Sequence, residues 1–363
     1  MVMDQNSPHP SSYLNRLSRW KIIVLLLVVA LILVILVAVS IGSMDISLGN
    51  VYSILTKDIP ILGDLVQGNP TITETEVVLN IRFPRVLAAT IVGVALTCAG
   101  VVLQGLLRNP MADPYVLGIS AGASLGASLA IAFGLGSTFL GYLYGVPLMA
   151  FVGALATIFI VYNIAKRGNG SSMLSMLLIG IAASAFLSAI VSLIKLISSE
   201  ALHGIIYWIM GSLQFSGWNH VIIASPLILV GIAIIYYFSR DLNMIALGET
   251  QAQHLGVDAD KLKTRMLICA SLITAAAVSI SGIIGFVGLI IPHITRLLIG
   301  PDHRILIPAS SLLGAIVLIL CDTLARTVMS PAEIPVGIIT ALLGCPFFVY
   351  LLLRRKTSFG NWH

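Results

Sequence analysis

The chain has 363 residues, 58% of them hydrophobic and only 10% charged, with a formal net charge of +5. A water-soluble domain carries about 25% charged residues, so this composition excludes an ordinary soluble fold. With a mean hydropathy of +1.03, the chain must be solvated mainly by lipid.

Apolar runs recur along the whole length, and a bilayer span needs about 20 such residues in a helix. In chain order the predicted spans are Ile22–Ile41, Leu87–Leu107, Tyr115–Gly134, Pro147–Ala165, Met173–Ile194, Val221–Phe238, Met266–Ile280, Ile283–Ile299, Ile305–Ala325 and Val336–Leu353. Backbone in lipid must satisfy its own hydrogen bonds, which leaves helices or closed barrels. Runs of this length suit helices, not alternating barrel strands. The expectation is an all-α polytopic membrane protein of about ten transmembrane helices. Residues 1–20 read as an N-terminal tail, 21–356 as a single membrane domain and 357–363 as a C-terminal tail. The first apolar run is followed by "SIGSMDISLG", which offers no clear small-x-small cleavage site, so it is expected to be retained.

Ten spans place both termini on one side. With that side in the cytoplasm, only Lys57, Arg82, Arg85, Lys195 and Arg326 of the 20 Lys and Arg fall outside. The positive-inside rule chooses this orientation. It also accounts for the net charge without nucleic acid. "RNPMADP" (108–114) is then a cytoplasmic turn. Pro110 and Pro114 cannot continue a helix interior, and Asp113 can cap the next helix.

From the second span to the last the chemistry-bearing residues are few. "GISAG" (118–122) has the G-x-S-x-G spacing of a nucleophile elbow, but that motif needs a strand–turn–helix context. Gly118, Gly122 and Gly126 instead follow the small-xxx-small rhythm of close helix packing. Cys98, Cys269, Cys321 and Cys345 all lie in apolar runs without metal-ligand spacing, so no metal site is expected. His293 is the one obvious intramembrane histidine and is expected to bond backbone near a broken helix. Glu333 is either a substrate or ion ligand or, more simply, part of a capped helix start before Pro335. The longest polar stretch, "RDLNMIALGETQAQHLGVDADKLKTR" (240–265), suggests short amphipathic turns divided by Gly248 and Gly256. The dipeptide Gly-Lys never occurs, so there is no phosphate loop. No cofactor is expected.

One offset along the chain pairs Gly100 with Gly282, Leu107 with Leu289, Pro110 with Pro292 and Gly118 with Gly300. The paired blocks start five spans apart and so face opposite ways. This suggests a weak inverted internal repeat, a common transporter design.

"IRFPRVLAATIVGVALTCAGVVLQGLLRNPMADPYVLGISAGASLG" (81–126) resembles the signature block of the FecCD family, permease subunits of ABC importers for iron–siderophores, haem and vitamin B12. The resemblance continues in "MIALGETQAQHLGVD" (244–258), "GIIGFVGLIIPHITRLLIGPDHRILIPASSLLGA" (282–315) and "DTLARTVMSPAEIPVGIITALLGCPFFVYLL" (322–352), and covers nearly everything from about residue 75 onward. It implies a permease in the cell membrane that works as a pair of copies with two ABC ATPase subunits and an extracytoplasmic substrate-binding protein. It further implies that the fifth and tenth spans line the path. Arg82, Arg85 and Arg326 would dock the binding protein's carboxylates; the plainer readings are lipid-headgroup anchoring or structural pairing for Arg82 and Arg85, and an Asp322–Arg326 pair inside one helix. Ala246, Leu247, Gly248, Glu249, Leu255 and Gly256 would form short coupling helices on the ATPase. The alternative is an ion-coupled secondary transporter. Such proteins usually carry intramembrane carboxylates or histidines, and Asp322 is the one candidate, with Arg326 a turn away. A membrane protease resting on Ser120 and His293 is a distant third.

Overall fold

The computed structural model describes residues 10–57, 68–134, 142–167 and 173–355, and every element among them is helical. In chain order these are α1 (Pro10–Ser40), α2 (Leu48–Thr56), α3 (Ile72–Leu106), α4 (Ile119–Ala132), α5 (Tyr142–Arg167), α6 (Met173–Ile197), α7 (Leu202–Ile209), α8 (Trp218–Tyr237), α9 (Ser239–Leu247), α10 (Glu249–His254), α11 (Ala259–Ser281), α12 (Val287–Ile299), α13 (His303–Thr327) and α14 (Val336–Arg355). Each of the ten predicted spans falls on a helix. Seven are long and apolar enough to cross a membrane, and α4, α12 and α14 are shorter apolar helices.

Several boundaries differ from expectation. α1 begins at Pro10, so half of the predicted N-terminal tail is helix; residues 357–363 lie outside the described residues. α3 starts at Ile72, well before Leu87, because Thr71 and Glu74 form a reciprocal capping box. It passes through a π-helical stretch, Val77–Arg82, before continuing to Leu106. Wider π turns shift backbone register, and here the carbonyl of Leu79 accepts a hydrogen bond from Trp218 Nε1 at 2.8 Å.

The core is built from α3, α11 and α13, whose residues are mostly buried, while α1, α5, α6 and α8 leave broad apolar faces exposed. In a lipid-solvated protein those faces are the expected outer surface. Small residues let the central helices approach. At Gly126 a Cβ would sit 1.9 Å from the carbonyl oxygen of Met149, and at Gly122 it would sit 2.4 Å from that of Gly153, so α4 and α5 meet backbone to backbone. Gly118 plays a different part: at φ 86° it is the left-handed residue from which α4 starts.

The internal repeat is present, but not at the offset expected from Gly and Pro matches. Gly100 lies inside α3 whereas Gly282 ends α11, and Pro110 lies in a turn whereas Pro292 lies inside α12. Like elements pair differently. The buried α3 and α11 each lead into a broken stretch, then a short helix (14 residues in α4, 13 in α12), then a long one, α5 or α13. Both short helices start from a left-handed residue, Gly118 at φ 86° and Phe286 at φ 68°. Five spans separate the copies, so they run oppositely. A helix of this length reaches only about 20 Å, short of the roughly 30 Å hydrocarbon core. The unwound segments before α4 and α12 therefore enter the membrane from opposite sides.

Candidate functional site: two ends of the helical bundle

At the end where α1 finishes and α3 begins, five charged side chains converge. Arg85 lies on α3, Asp322 and Arg326 on α13, Glu333 in the turn before α14, and Arg82 at the end of the π-helical stretch. Arg85 donates from Nε to both carboxylate oxygens of Asp322 (3.1 and 3.0 Å) and from Nη2 to Oδ1 at 2.9 Å. Its Nη1 holds Glu333 at 2.8 Å. Arg326 Nε lies 3.3 Å from Asp322 Oδ2. Asp322 is 1% exposed. A carboxylate this deep is tolerable only because two guanidiniums compensate it.

Arg82 and Arg326 have a second task. The last carbonyls of a helix lack intrahelical donors. Arg326 Nη2 donates to Ala38 O at 3.0 Å, and its Nη1 to Ile41 O at 3.2 Å. Arg82 Nη1 donates to Val39 O at 3.0 Å and Ser40 O at 2.8 Å, and its Nη2 to Met44 O. Two guanidiniums thus cap the C-terminus of α1, where the helix dipole also favours positive charge. A Cβ at Gly42 would sit 2.5 Å from Arg82 Nη2, so glycine leaves room for the guanidinium.

Arg82, Arg85 and Arg326 are the residues that the resemblance assigns to binding-protein docking, with structural pairing as the plainer reading. All three are buried and spend their donors inside the chain. They break the charge rule because helix capping and a buried carboxylate require them there. The Asp322–Arg326 pair exists, but Arg85 is the stronger partner of Asp322, and no spacing in the sequence announced it. Glu333, expected at a helix cap, is instead the second carboxylate on Arg85. With Asp322 committed to two arginines, no uncommitted proton relay is left at this position, which removes the basis of the ion-coupled alternative.

The opposite end carries α9 and α10. Leu242 and Ile245 bury one side of α9 against the bundle, leaving Ala246 and Leu247 exposed. Gly248, at φ 137°, ends α9 and begins α10. Ala252 anchors α10, and Leu255 and Gly256 are exposed beyond it, Gly256 at φ 86° with nothing within 4 Å of a would-be Cβ. Glu249 pairs with Lys263 of α11. Asp258 then caps α11 by accepting from Lys261 N at 3.1 Å, and hydrogen bonding to Lys261 holds its carboxyl below the usual range.

Two residues that sequence reasoning missed position α9. Arg108, itself left-handed at φ 46°, donates from Nη2 to Ile245 O at 2.9 Å. Asn243 donates from Nδ2 to Asp302 Oδ1 at 2.9 Å, and its Oδ1 accepts from the backbone N–H of His303 at 2.9 Å. Asn243 thereby ties α9 to the first turn of α13. Burial alone would raise the Asp302 carboxyl; hydrogen bonds from Arg304 and Asn243 outweigh it and bring it down to about 2. The "RNPMADP" turn closes as expected at Asp113, which accepts from Tyr115 N at 2.8 Å. The helix it caps is a single 3₁₀ turn, Pro114–Leu117, before Gly118. That turn, not a strand, precedes "GISAG", so Ser120 has no nucleophile elbow.

Comparison with known proteins places this architecture. The FecCD transport family matches residues 29–354. The chain is 42% identical over 322 residues to the uncharacterized ABC transporter permease protein YvrB of Bacillus subtilis, covering 88% of this chain and 90% of that protein. It is 45% identical over 284 residues to the cobalamin import system permease protein BtuC of Halobacterium salinarum (78% and 75% covered). To the hemin transport system permease protein HmuU of Yersinia pestis it is 44% identical over 279 residues (77% and 83% covered). An inward-facing metal-chelate type ABC transporter superposes with a TM-score of 0.80 at 34% identity, spanning 92% of this chain and 99% of that one. The buried arginine network, the paired broken helices and the exposed α9–α10 surface therefore belong to a multi-pass membrane transport component with no catalytic role of its own, and the chain is a member of the FecCD transport family, a permease subunit of ABC importers.

Proposed function

We propose that this permease imports a bulky metal chelate or tetrapyrrole, handed over by a binding protein at the arginine-rich end and driven by ATPases at the α9–α10 end. The observation that carries the reading is the α9–α10 surface. Ala246, Leu247 and Leu255 are exposed on a polar segment that lies outside the predicted spans, around two left-handed glycines. Exposed apolar groups of this kind mark a protein partner surface. The basic residues cluster at this end, which the positive-inside rule assigns to the cytoplasm together with both termini. Relatives named for cobalamin, hemin and Fe(3+)-citrate import support a chelate as cargo.

Two copies assemble in this reading, with two ATPases. α6 presents Ala182, Ala185, Ala189 and Ser192 along one exposed face, small side chains suited to lining a path between protomers. The fifth and tenth spans, α6 and α14, form that path. At the arginine-rich end Arg82, Arg85 and Arg326 support the docking face from beneath. A partner carboxylate reaches Arg85 by displacing Glu333, the most exposed member of the network at 25%.

The test is assembly and coupling. Leu247→Asp with Leu255→Asp should leave the permease folded in the membrane yet abolish co-purification of the ATPase and binding-protein-stimulated hydrolysis. Normal ATPase capture by that variant would locate the coupling surface elsewhere. The complex should contain two permease copies, and an active complex with one copy would refute the shared path.

A further inference from the structure

At the arginine-rich end, the chain between α6 and α8 folds back over the ends of α4, α5 and α11 and roofs a cavity of about 420 Å³. The size lies within the range of small-molecule sites. Tyr207, Trp208 and Phe215 wall it, and Ile131, Pro147 and Ile280 supply apolar floor. Tyr207 and Phe215 stand edge to face with ring centroids 6.4 Å apart, leaving ring faces available to a third aromatic group.

The polar groups are few. Tyr207 Oη donates to Gln214 Oε1 at 2.5 Å and accepts from Ser212 Oγ at 3.4 Å. Ser216 is 7% exposed, and its Oγ is buried with no hydrogen-bond partner among the described residues. An unsatisfied buried hydroxyl costs about 1–3 kcal/mol, and a ligand oxygen at this position would supply the missing partner. No Lys, Arg, Asp or Glu lines the cavity; its titratable side chains besides Tyr207 are His203 and His220. Neither histidine is a permanent countercharge, so a polyanion such as citrate or an inorganic oxyanion would be desolvated here against hydrogen-bond donors alone. An aliphatic lipid tail would leave the Ser216 hydroxyl as it is.

We propose that this cavity binds a flat, uncharged aromatic ring carrying a hydrogen-bonding oxygen, the aromatic portion of a metal-chelate cargo, with Ser216 as its polar contact and Tyr207 and Trp208 as its walls. The cargo assignment rests on the chelate-importer reading; the cavity chemistry does not.

The probe is gallium tris(8-hydroxyquinolinate), a neutral fluorescent chelate with flat ring blades and phenolate oxygens. Binding is measured on the full permease–ATPase complex in nanodiscs, after subtraction of empty nanodiscs. Saturable binding is expected, unaffected by excess ferric citrate. Ser216→Ala should weaken it about fivefold, the loss of one hydrogen bond. Ser216→Phe should weaken it at least about tenfold by filling the cavity. Unchanged affinity in Ser216→Ala, which removes one atom and keeps the fold, overturns the site. So does displacement by ferric citrate, or by n-dodecane, which would mark a lipid-tail pocket. ATP-driven uptake of a chelate by the wild-type complex, with Ser216-independent probe binding, sinks this inference alone. Ser216-dependent binding in a complex that never couples ATP hydrolysis to uptake keeps the site and sinks the cargo assignment together with the importer reading.

Discussion

Tyr115 Oη donates to the carbonyl of Ile284 at 3.0 Å and accepts from the N–H of the same residue at 3.3 Å. Tyr115 belongs to the break before α4 and Ile284 to the break before α12, so the two halves of the inverted repeat meet through one phenol. Unwound backbone at membrane depth is tolerated only where protein groups replace the lost helical hydrogen bonds. Tyr115→Phe should leave both groups of Ile284 without this partner and cost about 1–3 kcal/mol. The check is thermal unfolding of the purified permease in detergent. An unchanged midpoint would mean that water or backbone already serves Ile284.

Arg85 and Asp322 form a deeply buried ion pair, with side chains 7% and 1% exposed. Removing one partner of such a pair costs about 3–5 kcal/mol because a charge is stranded. Arg85→Met should therefore destabilise by that order, and Arg85→Met with Asp322→Asn by clearly less than the sum of the two single changes. Additive losses would show that the carboxylate is served by Arg326 alone. Arg82→Ala should instead loosen α1, read as faster proteolysis or hydrogen exchange around residues 38–44. Loss of binding-protein docking in an Arg82→Glu, Arg85→Glu double variant must therefore be judged against its stability.

The glycines separate packing from conformation. Gly126→Val drives a side chain into the Met149 carbonyl, where no flexible group can yield. Overpacking of this kind costs about 1–3 kcal/mol or more, seen as lower yield and a lower unfolding midpoint. Gly256→Ala meets no atom and strains only the backbone, about 1–2 kcal/mol. Gly256→Pro, which cannot adopt φ 86°, should keep the bundle intact and lose ATPase coupling. Retained coupling would remove the loop from the ATPase interface.

Asp302 makes the α9–α13 junction insensitive to ordinary pH. Its carboxyl is lowered from 3.8 to about 2. A depressed carboxyl contributes stability that is present above the unfolded value and lost as pH falls through the folded one. Asp302→Asn should therefore be less stable than wild type by roughly 1 kcal/mol at pH 7, allowing for solvent screening. The gap should hold down to about pH 4 and close toward pH 2. Asn243→Leu should cut ATPase stimulation without changing membrane insertion. A gap that closes between pH 8 and 6 would point to another group.

The positions of all ten spans were legible in the sequence, because lipid solvation demands long apolar runs whatever lies beside them. The α9–α10 segment was legible for the converse reason: a polar stretch broken by Gly248 and Gly256 has no place in hydrocarbon. Close packing at Gly122 and Gly126 could be read from spacing alone, since the helical period is local. The destination of the arginines could not. Arg85 meets Asp322 across 237 positions and Arg326 meets Ala38 across 288, and no local rule states which buried charge or open helix end needs a guanidinium. The true register of the repeat was hidden likewise, because Gly118 and Phe286 share a left-handed backbone, not a residue type. Local solvation determined where helices form; long-range satisfaction of buried charge and broken backbone decided what each polar side chain does.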